Sequence, residues 1–506
     1  MSYLTGKQPP KREDRLNACI AYGGTLCGFQ KGAGCGRFQD GSREFSQGSL
    51  CLLLPALAII NSIPNNVTLL HGAVGCGASS HAQNAGARSG GAARFGTVKD
   101  AVWVSTALGE ADVIGGGEEK LRNAIIEADR LYRPRTITVV ASCVPGISGD
   151  DVEGVIDQVK DQVAAVIVPV YCEGFKTKIW ATAYDAVYHG IGRTLFDDPP
   201  ANPREPVIED ELETFRFEQL KKDTVNLCNL SSIGKVDEDE LCRLLNSLGL
   251  RVNLFPMFAD TETVYRLKYA ALSISTCPTH DDYFLKFLKE TCGVPYILRH
   301  MPVGIENTDE WIRDIARAMG RDEAAENIIR TENGRLAEAL APYREFFKGK
   351  RAFVSAGEYR ALATANLLHE LGFEIAGVRA FHHDEFADNE YKKLKGAAGD
   401  FPLNIANVQP FEEANLLKKI RPDLYLGHSH SNFTAVKLGI PSHVIFNSSL
   451  CYLGYRGAYE IARRIFRQLS NPAFARHVGR HVRLPYRESW YAEDPFRHIK
   501  DGGQNA

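Results

Sequence analysis

The chain is predicted to fold as an α/β protein, with parallel β-sheets flanked by helices. Three observations predict this. From about residue 97 onward, apolar β-rich runs alternate with amphipathic helical stretches, the pattern of strand–helix–strand units. Several runs are apolar throughout rather than at every second residue, as strands buried on both faces require. The length, 506 residues, suits about three domains at roughly 100–200 residues each.

The elements follow in order. A strand is expected at 136–141 (TITVVA), then a loop at 142–149, and then a helix opened by Asp150 and Asp151 through N-cap chemistry. The continuous apolar run 164–171 (AAVIVPVY) is the next strand. Further strands are expected at 224–230, 251–255, 271–275, 294–298, 351–355, 373–378, 423–426 and 442–446. Helices at 361–371, 410–420, 432–438 and 459–469 separate the later ones. Residues 196–206 (FDDPPANPREP) carry four prolines and read as an extended connector. A charged helix at 334–350 leads into a fresh strand, which starts a last domain near residue 345. The resulting division is a glycine- and cysteine-rich arm at 1–45, then α/β domains at 46–205, 206–344 and 345–506. Each is expected to be Rossmann-like, with the cofactor crevice between them, because ligands in such folds sit beyond the carboxyl ends of the strands.

Composition excludes several classes. A hydrophobic fraction of 44%, a charged fraction of 24%, and 45 Gly with 23 Pro are ordinary globular values, unlike disordered, collagen-like or coiled-coil chains. Lys+Arg at 59 against Asp+Glu at 62 leaves a net charge of −3 with no basic block. No nucleic-acid partner is therefore expected. No apolar run approaches the ~18–20 residues that cross a bilayer. The segment 1–17 is charged and lacks the apolar core of a secretory signal. A cytoplasmic, reducing location is expected. There, twelve cysteines point to metal ligation rather than disulfides.

The informative cysteines lie after strands or in glycine-rich loops. Cys76 sits in 71–77 (HGAVGCG), Cys143 follows the strand at 136–141, Cys51 opens an apolar helical stretch, and Cys277 ends the run at 271–276. Thiolates are soft ligands that suit iron–sulfur clusters, whose ligands can come from distant segments. A lone cysteine is more often a small buried hydrophobe, but the loop setting of Cys76 and Cys143 reverses that preference. With no CxxC pair, a zinc ribbon or ferredoxin-type site has no support.

At these residues the sequence resembles a family. The segment 70–77 (LHGAVGCG) resembles the glycine–cysteine loop of nitrogenase component 1 subunits. The segments 112–121 (DVIGGGEEKL) and 142–151 (SCVPGISGDD) match that family's FGGxxKL and TCxxxxIGDD patterns in order. The segments 381–386 (FHHDEF), 422–426 with 437–441 (KLGIP), and 452–464 (YLGYRGAYEIARR) resemble the third domain and closing helix of its α chain. The resemblance runs from about residue 45 to 470. It implies that Cys51, Cys76 and Cys143 hold this chain's half of a P-cluster of the [8Fe-7S] type. That cluster would be shared with a homologous β-type subunit in an α2β2 assembly, since three thiolates are too few for eight irons. It also implies that Cys277 is the single cysteine ligand of a nitrogenase-type iron–sulfur active-site cofactor, with electrons supplied by an ATP-dependent iron–sulfur reductase. For the cofactor's histidine ligand, His443 is the nearest match. The other reading of His443 is a strand-edge histidine bonded to backbone.

The sequence departs from the nitrogenase pattern around the substrate. The family's active-site glutamine and histidine after the C-E-G-F motif (172–175) fall at Trp180 and Tyr184, and the arginine after the cysteine loop becomes Asn84. The homocitrate-anchoring lysine is replaced near His430. A bulkier, more apolar pocket suits an organic substrate. The pattern is similar to the nitrogenase-like methylthio-alkane reductases, which cleave C–S bonds of small organic sulfur compounds, with His430, Tyr184 and Lys176 as expected proton-delivering or pocket residues. The alternatives are a scaffold on which a cofactor precursor matures, nitrogenase proper, and, ranked last, a dark-operating tetrapyrrole reductase subunit. Cys19, Cys27 and Cys35, spaced by eight, would support an extra cluster or belong to an arm packed on the partner; the arm is preferred. His382 and His383 read as an exposed, solvated turn, with proton delivery as the other reading. Cys228, Cys242, Cys292 and Cys451 read as core thiols.

Overall fold

A computed structural model describes residues 6–33, 42–45, 47, 51–96, 101–196, 221–228, 234–445, 447 and 449–500. Three parallel sheets dominate it. The first has four strands in the order Val102–Ser105, Asn66–His71, Thr136–Ala141 and Val166–Tyr171. Its two central strands are buried at every residue. The second has four strands in the order Tyr296–Ile297, Leu272–Ser275, Thr224–Cys228 and Arg251–Leu254. The third has six: Ala21–Thr25, Pro402–Ala406, Glu374–Ala380, Arg351–Ala356, Leu424–Gly427 and Ser442–Val444. The α/β prediction holds. Continuous apolar runs became interior strands because helices cover both faces.

The strands Asn66–His71, Val102–Ser105 and Pro402–Ala406 were not predicted; each is short and bounded by polar residues that blur its period. The expected helix at 334–350 is the second half of a longer one, Asp322–Phe347, with Pro342 inside it. Asp151 caps the helix Val152–Val159 as expected, its side chain accepting the Gly154 N–H. Most of the proline-rich connector lies outside the described residues.

The N-terminal arm packs within its own chain. Ala21–Thr25 runs antiparallel along Pro402–Ala406 and closes that edge of the third sheet. Cys19 exchanges both backbone hydrogen bonds with His383, at 2.9 and 2.8 Å. Before it, the guanidinium of Arg12, wholly buried, reaches Asp185 at 3.1 Å, Asp282 at 3.1 Å and Asp384 at 3.4 Å. Those three carboxylates follow strands of the first, second and third sheets respectively. Burial alone would lower the Arg12 pKa, but the three carboxylates outweigh it and raise it. Among the described residues no helix is long and apolar enough to cross a membrane.

Candidate functional site

A cavity of about 250 Å³ opens where the three sheets meet. Its walls come from the carboxyl ends of strands, as the parallel-sheet rule requires. Cys277 lies two residues past Leu272–Ser275, Phe381 directly after Glu374–Ala380, Asn407 after Pro402–Ala406, and His428 after Leu424–Gly427. The first sheet's helices add Leu54, Pro55, Gln83 and Tyr184, the turn before the helix Thr182–Leu195 adds Trp180, and the segment after Arg351–Ala356 adds Glu358, Tyr359 and Arg360.

Cys277 caps the helix Pro278–Cys292 and is buried. Burial, with Asp281 adding to it, pushes its thiol up to about 12, even though Arg360 and the backbone N–H groups at the start of the helix favour the thiolate. Such a thiol does not ionise by itself; a metal centre binding at the cavity would supply the positive charge its thiolate lacks. The donor set therefore fits a soft metal group held by one sulfur.

Trp180 lines the cavity, 6.4 Å from Phe381 and 6.2 Å from His428 between ring centres, and its buried indole N–H has no partner among the described residues. Tyr184 also lines it, stacked on His280 with ring centres 3.8 Å apart and planes 12° apart. Burial, with Arg360 and Arg12 close by, pushes the His280 pKa well below its usual value, so the ring is neutral.

Other expected residues lie elsewhere. Gln83 reaches the cavity, not its neighbour Asn84, because the helix Val74–Phe95 turns the next side chain away. His443 is not on the cavity wall. It pairs in the strand with Leu426 and faces Arg464 and Gln468 of the closing helix Gly454–Ser470. Burial and the Arg464 charge depress its pKa to about 4. Lys176 also lies off the cavity, in an ion pair with Glu173 at 2.6 Å. His430 sits on the helix Ser429–Lys437, but its side chain is outside the described residues; His428, two positions earlier, lines the cavity.

The loop 381–386 is not an exposed turn. His382 and His383 are 4% and 6% exposed. His382 lines the cavity, while His383 holds Glu358 through Nδ1 at 2.8 Å. On its other side, His383 Nε2 lies 3.6 Å from the half-exposed Asp388. Burial raises the Glu358 pKa, and that carboxylate in turn raises His383 against the effect of its own burial. Solvent, Asp388, His383, Glu358 and cavity thus form a continuous series of titratable groups. Glu358, His382 and Asp384 also converge closely enough to be read as a metal site, but Arg12 on Asp384 and His383 on Glu358 already occupy those carboxylates. Glu358, Arg360 and His280 escaped sequence reading because nothing local marks them; only the meeting of three sheets gives them a common space.

A second group gathers at the carboxyl end of the first sheet. Cys76 lies in the first turn of the helix Val74–Phe95, Cys143 starts Cys143–Ser148, and Cys51 precedes Leu53–Ile60. Partial burial raises the Cys51 thiol, and the neighbouring Cys143 and Cys76 add to the rise. The Gly174 N–H donates to Cys143 Sγ at 3.2 Å. Cys51 is exposed and the other two half-buried, and exposed apolar side chains stand beside them, Val74 at 69% and Ile147 at 73%. Of the upstream cysteines, Cys19 is buried in the third sheet's core and Cys27 donates its N–H to Asp400; Cys35 lies outside the described residues. Cys228 and Cys451 are buried, and Cys242 and Cys292 half-buried.

Three parallel-sheet units thus close on one buried thiol, beside a trio of thiols at the end of the first sheet, and both sets are donors of the kind that suit soft metals. Comparison with known proteins gives the family. The sequence profile of nitrogenase component 1 type oxidoreductases matches residues 51–470. The chain is 28% identical to the nitrogenase iron-molybdenum cofactor biosynthesis protein NifE of Methanosarcina barkeri, over 84% of this chain and 89% of that protein. It is 25% identical to the nitrogenase molybdenum-iron protein alpha chain of the same organism, over 73% and 76%. The solved structure "Nitrogenase Cp1 at pH 6.5" superposes with a TM-score of 0.69 at 19% identity, covering 88% of this chain and 93% of that one. The chain belongs to the nitrogenase component 1 type oxidoreductase family, as an α-like subunit.

Proposed function

We propose that the chain is the catalytic α-type subunit of a nitrogenase-like iron–sulfur reductase that cleaves a C–S bond in a small methylthio-alkane. The observation that carries this is the cavity wall: one buried thiol, Cys277, faces the bulky rings of Trp180, Tyr184 and Phe381. Such a wall favours an organic group held by van der Waals contact. Cys277 would hold an active-site iron–sulfur cofactor. Cys51, Cys76 and Cys143 would supply half the ligands of a P-cluster-type [8Fe-7S] group, the rest coming from a homologous β-type subunit in an α2β2 assembly. The exposed Cys51 and the half-buried Cys76 and Cys143, with exposed Val74 and Ile147 beside them, support such a cover, since apolar surface next to ligands needs a partner.

The cofactor, when bound, supplies low-potential electrons delivered through the P-cluster from an ATP-dependent iron–sulfur reductase. The substrate R–S–CH3 takes up two electrons and two protons; the R–S bond breaks, and RH and CH3SH leave. The chain's own residues bind the alkyl group against Trp180 and Phe381, hold neutral His280 against Tyr184, and pass protons from solvent by Asp388, His383 and Glu358 to the cavity. Protons relayed through positioned side chains reach a dry site without admitting bulk water.

A second reading, a scaffold for cofactor maturation, is favoured by the cofactor biosynthesis proteins among the similar sequences. The test is iron and acid-labile sulfide analysis of the anaerobically purified chain with its co-purifying partner, followed by turnover of methylthio-alkanes. About sixteen irons per pair, little molybdenum or vanadium, and thiol release are expected. Stoichiometric molybdenum or vanadium would return the chain to nitrogenase proper, and four irons or fewer would refute two clusters. Intact clusters that transfer to an acceptor protein without turnover would establish the scaffold. Cys277→Ala is expected to abolish turnover while the signal of the Cys51–Cys76–Cys143 cluster persists; loss of both signals would sink the separate-cofactor assignment.

A further inference from the structure

The family match ends at residue 470, and the chain continues as a docked extension. Its helix Ala473–His481 packs on the helix Ser429–Lys437 and the turn after it. Two glycines allow that approach: a Cβ on Gly479 would stand 2.5 Å from the Cα of Gly439, which itself holds a φ of +82°. Further along, Asn415 donates to the carbonyls of Trp490 and Glu493, at 2.5 and 3.2 Å, and the Trp490 indole donates to the Phe411 carbonyl at 2.9 Å. The extension is therefore fixed in place, and between it and the third sheet's edge lies a cleft of about 900 Å³.

The cleft's charge is lopsided. Six cations line it, among them Arg421, Lys437, Arg476 and Arg483, against two acids, Asp423 and Glu488. Glu488 is taken up by Lys418, itself one of the six, at 3.2 Å, and Asp423 accepts the backbone N–H of Arg351 at 2.8 Å, so the lining keeps a clear positive excess. None of Lys437, Arg476 and Arg483 has a carboxylate partner among the described residues. The chain as a whole carries a net charge of −3, so this concentration of positive charge is local. Like charges converging on one concave space repel unless an anion sits among them. The volume is that of a small-molecule site, and the negative charge of the remaining chain opposes a long polyanion.

We propose that this cleft binds a small polyanion, a molecule bearing two or more phosphate or carboxylate groups. The arginines suit bidentate contact with such groups, while Tyr486 on the same wall offers a ring for a base to stack on.

Titration calorimetry of the full-length protein with its co-purifying partner, at low ionic strength, tests this with pyrophosphate, ADP and citrate as probes. One-to-one binding of at least one probe is expected, weakened about tenfold or more in Arg476→Ala/Arg483→Ala and by added salt. Both arginines are exposed, and among the described residues their side chains carry no hydrogen bond, so the double variant should fold; circular dichroism and an unchanged melting temperature verify this. Preference for pyrophosphate and ADP over citrate identifies a phosphate ligand, and the reverse a carboxylate ligand. Absence of binding by all three, or unchanged binding in the double variant, would overturn the proposal.

Discussion

Glu358 shows how a single side chain acquires a role. Its carboxylate lies on the cavity wall, holds His383 at 2.8 Å and accepts the Asp384 N–H at 3.1 Å. Glu358→Gln keeps the shape and removes the titration. Turnover should fall by about a hundredfold, and the pH titration of the metal-free protein should lose one carboxyl band in its infrared difference spectrum. An unchanged spectrum and rate would exclude the proton path. His443 gives a second prediction. Its folded pKa of about 4 lies below the unfolded value of roughly 6.5. The unfolded chain therefore takes up a proton that the folded chain refuses, and stability is lost as pH falls from about 6.5 toward 4. That loss amounts to at most about 3 kcal/mol. His443→Gln should flatten the fall in melting temperature across this window; an identical pH profile would show that the histidine is not buried neutral.

At the scale of elements, the helix Thr182–Leu195 sets the cavity because it carries Tyr184 and lies against the strand Val166–Tyr171. The contact depends on Gly190, where a Cβ would stand 2.5 Å from the Pro169 carbonyl oxygen and 2.9 Å from Val170. Gly190→Ala must push the helix outward, costing about 1–3 kcal/mol. It should also disturb the Tyr184–His280 stack, which a denaturant series and methylthio-alkane KM would read together. No change in either would mean that the helix yields without moving the site. The edge strand Ala21–Thr25 works by a different rule: it covers the backbone groups of Pro402–Ala406 that would otherwise lie open.

Over the whole molecule, the decisive contact is Arg12, whose guanidinium joins Asp185, Asp282 and Asp384 from the three sheet units. Arg15 reinforces it on Asp185 at 2.7 Å and also pairs with Asp282. The cavity lies where these units meet, so the same residue that closes the assembly also preserves the site. Arg12→Met leaves buried carboxylates without their cation and should cost about 3–5 kcal/mol. The expected result is a lower denaturant midpoint with loss of cofactor-dependent signal. A variant as stable as the parent would mean that Arg15 alone holds the units together.

The α/β class and most interior strands were legible in the sequence, because continuous apolar runs are a local signal, and glycine-flanked thiols likewise singled out Cys76 and Cys143 as candidate ligands. Cys277, Trp180 and Tyr184 were likewise legible, since each stands at a fixed interval from a recognisable motif, and all three line the cavity. Asn84, Lys176 and His443 were misplaced, because an interval along the chain does not say which way a helix or strand turns its side chains. His382 and His383 were misjudged as solvated, since the arm that packs on them, at Cys19, lies 364 residues before His383 and leaves no mark beside them. Residue types and their local spacing settle which elements form and which side chains could bind a metal. Which of those side chains share a dry space, and which charges meet there, is a property of the packing of three separate sheets, and only the tertiary structure decides it.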